Sequence, residues 1–135
     1  MTVKPTNPKD AVGIRKVPFW VIPPRVLAEI GLSLLEGARK YGPYNWRHAG
    51  VRGSVYYDAS LRHMTSWMEG QDIDPESGVH HISKAIASLV VLRDGIISGI
   101  WVDDRPPPTL RRWIQECNIL AGEIIDRTPQ KDVDS

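Results

Sequence analysis

The sequence predicts an all-α fold, a bundle of about four helices preceded by an extended proline-rich N-terminal arm. Three observations carry this. Apolar residues recur at three- and four-residue steps through several long segments. Glycine and proline mark the boundaries between those segments. Strand signals are weak, because the β-branched pair Val90-Val91 lies inside a helical period. The 135 residues fit a single domain, 1–135, with one core, so a larger cleft would have to be shared with a second copy.

The arm comprises residues 1–24. Pro5, Pro8, Pro18, Pro23 and Pro24, with Gly13, favour an extended, turning path over a helix. Phe19, Trp20, Val21 and Ile22 form an apolar patch suited to strapping onto a core. From Pro24 to Tyr41, Val26, Leu27, Ile30, Leu34 and Leu35 recur at helical spacing until Gly42-Pro43 ends the run. A loop from Gly42 to Gly53 carries Tyr44, Asn45, Trp46, Arg47 and His48. A second helix is expected from about Val55 to Glu69, with Tyr57, Leu61, Met64 and Met68 on one stripe and Gly70 as its stop. A third is expected from about Ser77 to Ser98, N-capped by Ser77, with Ile82, Ala85, Ile86, Leu89, Val90 and Ile97 facing the core. Residues 25–98 thus hold the catalytic helices. Pro106-Pro107-Pro108 forces an extended linker, and Thr109 can cap a C-terminal helix over 109–127. Trp113, Ile114, Leu120 and Ile124 give that helix apolar residues on more than one face, which suits oligomer contacts.

Composition excludes several functions. Seventeen basic and sixteen acidic side chains leave a net charge of +1, which supplies no field for gripping a nucleic-acid backbone, so nucleic acid is not expected as a partner. The single cysteine, Cys117, cannot form an internal disulfide, agrees with a reducing compartment and reads as buried filler. No apolar run approaches the roughly 20 residues of a membrane span, and Met1 to Asp10 lack the apolar core of a secretory signal. A cytoplasmic protein with no membrane partner is expected.

The densest chemistry lies between the second and third helices. Glu69, Asp72, Asp74 and Glu76 share one short connection with His80 and His81, and His63 and Trp67 stand just upstream. Carboxylates and imidazoles so concentrated can converge on a divalent cation, although a solvated acidic bend is the simpler alternative. Magnesium or manganese suits the oxygen donors, whereas zinc would need short-spaced cysteine and histidine. Glu29 reads as part of a solvated stripe and His80 as a surface group directed towards Lys84. Glu36 opens the segment EGARKYGPYNWR, in which lysine and arginine suit phosphate oxygens and asparagine can read a base edge or a sugar hydroxyl. Trp46 either stacks on a purine or plugs the end of the bundle.

The segments NPKDAVGIRKVPFWVIPP, EGARKYGPYNWR and RHMTSWMEGQDIDPESGVHHISKA together resemble the phage dATP/dGTP diphosphohydrolases, a branch of the all-α MazG-like nucleotide pyrophosphatases, over about residues 5 to 95. Within that branch the chain is most similar to the MazZ group. The resemblance implies a MazG-like bundle that cleaves a purine nucleoside triphosphate, dGTP or GTP, to the monophosphate and pyrophosphate with Mg2+ or Mn2+. The usual E-E-x-x-E and E-x-x-D helices of MazG-like enzymes are absent. On this resemblance Glu36, Asp74, Glu76 and His81 are expected nearest the metal, with Glu69 and Asp72 as substitutes. Glu36, His63 and Glu69 are expected in catalysis, and Asn7, Lys9, Lys40, Asn45, Trp46 and Arg47 on the nucleotide. Assembly as a homodimer or homotetramer is also implied. A small helical nucleic-acid-binding or regulatory module is the alternative, drawn from the aromatic-basic clusters Trp46 to Arg52 and Leu110 to Trp113. An HD-type phosphohydrolase ranks lowest because Ile82, not aspartate, follows the paired histidines.

Overall fold

The computed structural model describes residues 7–132, and among them it is all-α apart from one pair of two-residue strands. The chain divides into two units, the first ending at Asp104 and the second beginning at Arg105. The first contains α1 (Pro8–Gly13), α2 (Pro24–Tyr41), α3 (Trp46–Ala49), β1 (Val51–Arg52), α4 (Gly53–Met68), α5 (His81–Ile97) and β2 (Trp101–Val102). The second contains α6 (Trp113–Arg127). None of the helices among the described residues is long and apolar enough to cross a membrane.

Helix α5 organises the first unit by packing against both α4 and α2. Its buried residues are His81, Ser83, Ala85, Ala87, Val91 and Gly95, almost all of them small. Two of its faces are in use. His81 meets His63 of α4, and Ser83 donates to Glu29 Oε1 of α2 at 2.9 Å. Small side chains let neighbouring backbones approach, and at Gly95 the approach is limiting, since a Cβ there would lie 2.5 Å from Val51 Cγ2. Val51 is itself 3% exposed and pairs in parallel with Trp101, while Arg52 pairs with Val102. This two-residue ladder ties the chain after α5 to the entry of α4. Gly50 turns into it with φ +82°, where an L side chain is disfavoured, and an added Cβ would stand 2.8 Å from Ile100 O.

Helix ends explain where the sequence reading and the fold diverge. The arm is not wholly extended: Asn7 Oδ1 accepts from Lys9 N at 3.0 Å and Pro8 occupies the first turn, so α1 forms there. The patch expected to strap onto the core does not, for Phe19 is 78% and Trp20 85% exposed. The loop after α2 contains the short helix α3. Helix α4 begins at Gly53, and Asp104 supplies the cap that Arg52 cannot: Oδ1 accepts from Ser54 N at 2.8 Å and Oδ2 from Ser54 Oγ. Helix α5 starts four residues later than its expected cap, Ser77. His80 caps it instead, with Nδ1 accepting from Ile82 N at 3.1 Å, so His80 is not merely a surface group.

The expected apolar stripes are buried only in part: Ala85 is in the core and Ile82 and Ile86 are half-buried, as expected. Tyr57, Leu61, Met64 and Met68 of α4 are exposed, as are Leu89, Val90 and Ile97 of α5. The buried contacts come from Ser60, Ala85 and their small neighbours. In the second unit α6 begins at Trp113 after a turn in which Trp113 N donates to Leu110 O, so Thr109 is not its cap. Cys117 is exposed rather than buried filler.

Gly95→Ala is expected to destabilise the protein by about 1–3 kcal/mol through overpacking against Val51, as measured by urea unfolding. Gly122→Ala in α6, with no atom within 4 Å of the new Cβ, is expected to be neutral or stabilising by about 0.4–1 kcal/mol in the same measurement.

Candidate functional site

Two adjoining clefts run along the groove bordered by α2 and α5, and Leu34 lines both. The smaller, about 190 Å³, is bordered by Ser33, Tyr56, His63, Lys84 and Ser88. The larger, about 400 Å³, is bordered by Pro43, Tyr44, Trp46, Arg47 and Asp94. The first concentrates proton-handling and cationic groups. The second is aromatic and has the volume of a small-ligand pocket.

At the smaller cleft, His63 Nδ1 faces His81 Nδ1 at 2.9 Å, and His81 Nε2 faces Gln71 Oε1 at 2.7 Å. His81 is 4% exposed. Burial lowers the pKa of His63 below its ordinary 6.5, with the charges of His81, Lys84 and Arg62 acting in the same direction and Asp74 opposing them. Its imidazole is therefore neutral at neutral pH, as a proton acceptor must be.

The acidic bend is an ordered turn with its own hydrogen bonds. Asp74 N donates to Val79 O at 2.9 Å, His81 N to Asp72 O at 2.8 Å, and Ile73 bridges His80. Asp74 Oδ2 accepts from Ser77 Oγ at 2.7 Å and Oδ1 from Glu76 N at 3.2 Å. Burial raises the Asp74 pKa, but these bonds and the charges of His63 and His81 outweigh it and hold the carboxyl below its ordinary value. Lys40 binds Glu36 at 2.6 Å and keeps Glu36 low as well. The charge of Asp74 acts weakly the other way on Glu36.

Among the described residues no three His, Cys, Asp or Glu side chains are grouped to hold a cation. The residues expected nearest a metal have partners of their own: both His81 nitrogens face other side chains, Asp74 organises its own turn and Glu36 pairs with Lys40, while Glu76 is exposed. Asp72 and Glu69 are exposed, and no side-chain bond joins either to His63 or His81.

The expected nucleotide contacts divide. Arg47 donates to Asp94 twice, from Nε to Oδ2 and from Nη2 to Oδ1, each at 2.9 Å, and Trp46 Nε1 donates to Oδ2 at 2.7 Å. The Arg47 guanidinium also lies 4.6 Å from the centre of the Tyr44 ring. The hydrogen bonds of Arg47, then of Trp46, bring the Asp94 pKa from 3.8 down to about 2. Trp46 thus anchors α3 to α5 while bordering the aromatic cleft. Lys40 stands at the Glu36 end, Asn45 lies in the turn before α3, and Asn7 caps α1. Lys9 lines a hollow on α1 with Lys16, and no bond joins Asn7 or Lys9 to the His63 cluster.

The sequence reading missed Gln71, Ser83 and Asp94. Ser83 corrects the view of Glu29 as solvated: that carboxylate is held by Arg25 at 2.9 Å and by Ser83, and both lower its pKa. Asp94 stands beside Arg93 in the last half of α5, so that local pattern reads it as one of a pair of surface charges.

The sequence matches the family model described as "dATP/dGTP diphosphohydrolase, N-terminal" over residues 6–105. The chain belongs to this family. It is also 32% identical over 99 residues to a dATP/dGTP diphosphohydrolase of Salmonella phage PMBT28, an alignment covering 73% of this chain and 31% of that protein. The chain therefore spans about a third of the length of that relative. No solved structure matches it. The family match contains every residue of both clefts, and it ends just after Asp104.

The His63 imidazole is expected to titrate below pH 6.5, observed by NMR of the ring protons. The unfolded chain takes up that proton first as the pH falls, so this group costs stability on acidification. Asp94→Asn is expected to lower the melting temperature at pH 7. Its gap from the wild type should narrow as the pH falls from 3.8 towards about 2, where the wild-type carboxylate is lost in the folded state too.

Proposed function

We propose that this chain hydrolyses a purine nucleoside triphosphate between the α- and β-phosphates, releasing the monophosphate and pyrophosphate, with dGTP or GTP as its substrate. The observation that carries the reading is the diphosphohydrolase family match over residues 6–105, which encloses both clefts. The resemblance to MazG-like enzymes, and to the MazZ group within them, belongs to the same proposal.

In this reading the base lies against Tyr44 and Trp46, and the phosphates extend past Leu34 towards Lys84 and Lys40. Lysine supplies point charge to phosphate oxygens, and the aromatic wall suits a purine face. His63, held neutral, takes the proton of the attacking water. Magnesium or manganese arrives with the triphosphate as part of the substrate, because such ions bind through one or two carboxylates plus phosphate oxygens. Glu36 and Asp74 are the carboxylates for it, and the ion would neutralise charge on the departing pyrophosphate. Exposed apolar residues on the arm and on α6, such as Trp20 and Ile125, support assembly of more than one copy, a dimer or tetramer.

Incubation with each common ribo- and deoxyribonucleoside triphosphate and Mn2+ is expected to yield a monophosphate and pyrophosphate as first products. A diphosphate or free nucleoside would overturn the reading. His63→Ala should lower kcat by about 10²- to 10⁴-fold with helical content retained by circular dichroism.

A further inference from the structure

We propose that Gln71 and His81 are positioning residues that fix the tautomer of His63 and leave its Nε2 lone pair open to the attacking water. The catalytic part of this inference rests on the hydrolytic reading above; the tautomer assignment does not.

The chain of bonds ends at Gln71. Gln71 Oε1 stands 2.7 Å from His81 Nε2, and an amide oxygen can only accept, so that nitrogen carries hydrogen. A neutral imidazole has a single N–H, which leaves the lone pair of His81 on Nδ1. That nitrogen faces His63 Nδ1 at 2.9 Å, so the hydrogen between the rings belongs to His63. The bare nitrogen of His63 is then Nε2. Among the described residues it has no hydrogen-bond partner. Among the described residues no buried side-chain nitrogen or oxygen lacks a partner, so Nε2 is reached by solvent.

Two facing imidazoles alone could exchange roles, with His81 as donor and His63 left carrying an N–H at Nε2, where it could accept nothing. Gln71 breaks that symmetry. With His81 as donor at Nδ1, its Nε2 would turn a bare lone pair to the oxygen of Gln71; His81 is buried, and two acceptors facing each other without a hydrogen are costly there, so the arrangement that puts the hydrogen on Nε2 of His81 prevails. The three members come from α4, the acidic bend and the first turn of α5, which makes the ordered bend part of the proton-transfer apparatus. In the reaction, the water oxygen bonds to the α-phosphorus as the bond to the α,β-bridging oxygen breaks. Pyrophosphate leaves with that electron pair, and the water proton passes to His63 Nε2.

The test uses the full chain labelled with 15N-histidine and long-range 1H–15N correlation spectra at neutral pH. The expected pattern is hydrogen on Nδ1 of His63 and on Nε2 of His81; hydrogen on Nε2 of His63 and Nδ1 of His81 would overturn the assignment. Gln71 is exposed in the bend, so Gln71→Leu should fold. It is expected to mix the two patterns and lower kcat about tenfold, with KM held within about twofold, since the net worth of one hydrogen bond governs the redistribution. An unaltered pattern and kcat in this variant would refute the positioning role. A purely structural role would alter melting without redistributing the ring hydrogens. Failure of the wild type to hydrolyse any nucleotide would instead defeat the hydrolytic reading, while the spectrum still decides the tautomers.

Discussion

The close approach of α5 to its neighbours is the constraint on which the first unit rests. A helix built with Ser83, Ala85, Ala87 and Gly95 on its buried faces admits another backbone where a leucine would hold it off. Hydrophobic area alone gives little account of this unit, whose buried apolar residues are Val51, Ala85, Ala87 and Val91. Polar contacts between elements take a correspondingly large share: Ser83 to Glu29, Arg47 and Trp46 to Asp94, and Ser54 to Asp104. Each joins segments far apart in the chain.

The same closeness shapes the candidate site. His63 and His81 meet because α4 and α5 pack tightly near the bend, and the bend can order itself because Asp74 gathers Ser77 and the backbone of Glu76. The fold sets a hydrogen-bonded ring pair near Lys84, next to an aromatic cleft. Such an arrangement suits the proposed proton transfer and phosphate binding with little motion of its own.

The helices were legible in the sequence where glycine and proline bound them. Pro24–Tyr41 is recovered to the residue, and α4 and α5 to within a few positions. Their buried faces were legible only in part, at Ala85, because small residues carry the packing and periodicity of large apolar residues points elsewhere: Leu61, Met64 and Leu89 mark exposed surface. Of the candidate site, His63, His81 and Lys84 could be read from helical spacing. Gln71 could not, since a glutamine among carboxylates shows nothing of which ring it faces until the turn is closed. Asp94 and Asp104 escaped for a related reason, as both act on partners about fifty residues away and local pattern is blind to them.

Asp104 marks how far along the chain the first unit extends. Its carboxylate satisfies the exposed amide and hydroxyl at the start of α4 from the far end of the first unit, so the stretch after α5 is no dispensable tail. A fragment stopping at Ile97 would keep every long helix of that unit yet lose the β1–β2 ladder and the carboxylate that holds Ser54. The first unit therefore reaches through Asp104, beyond its last helix.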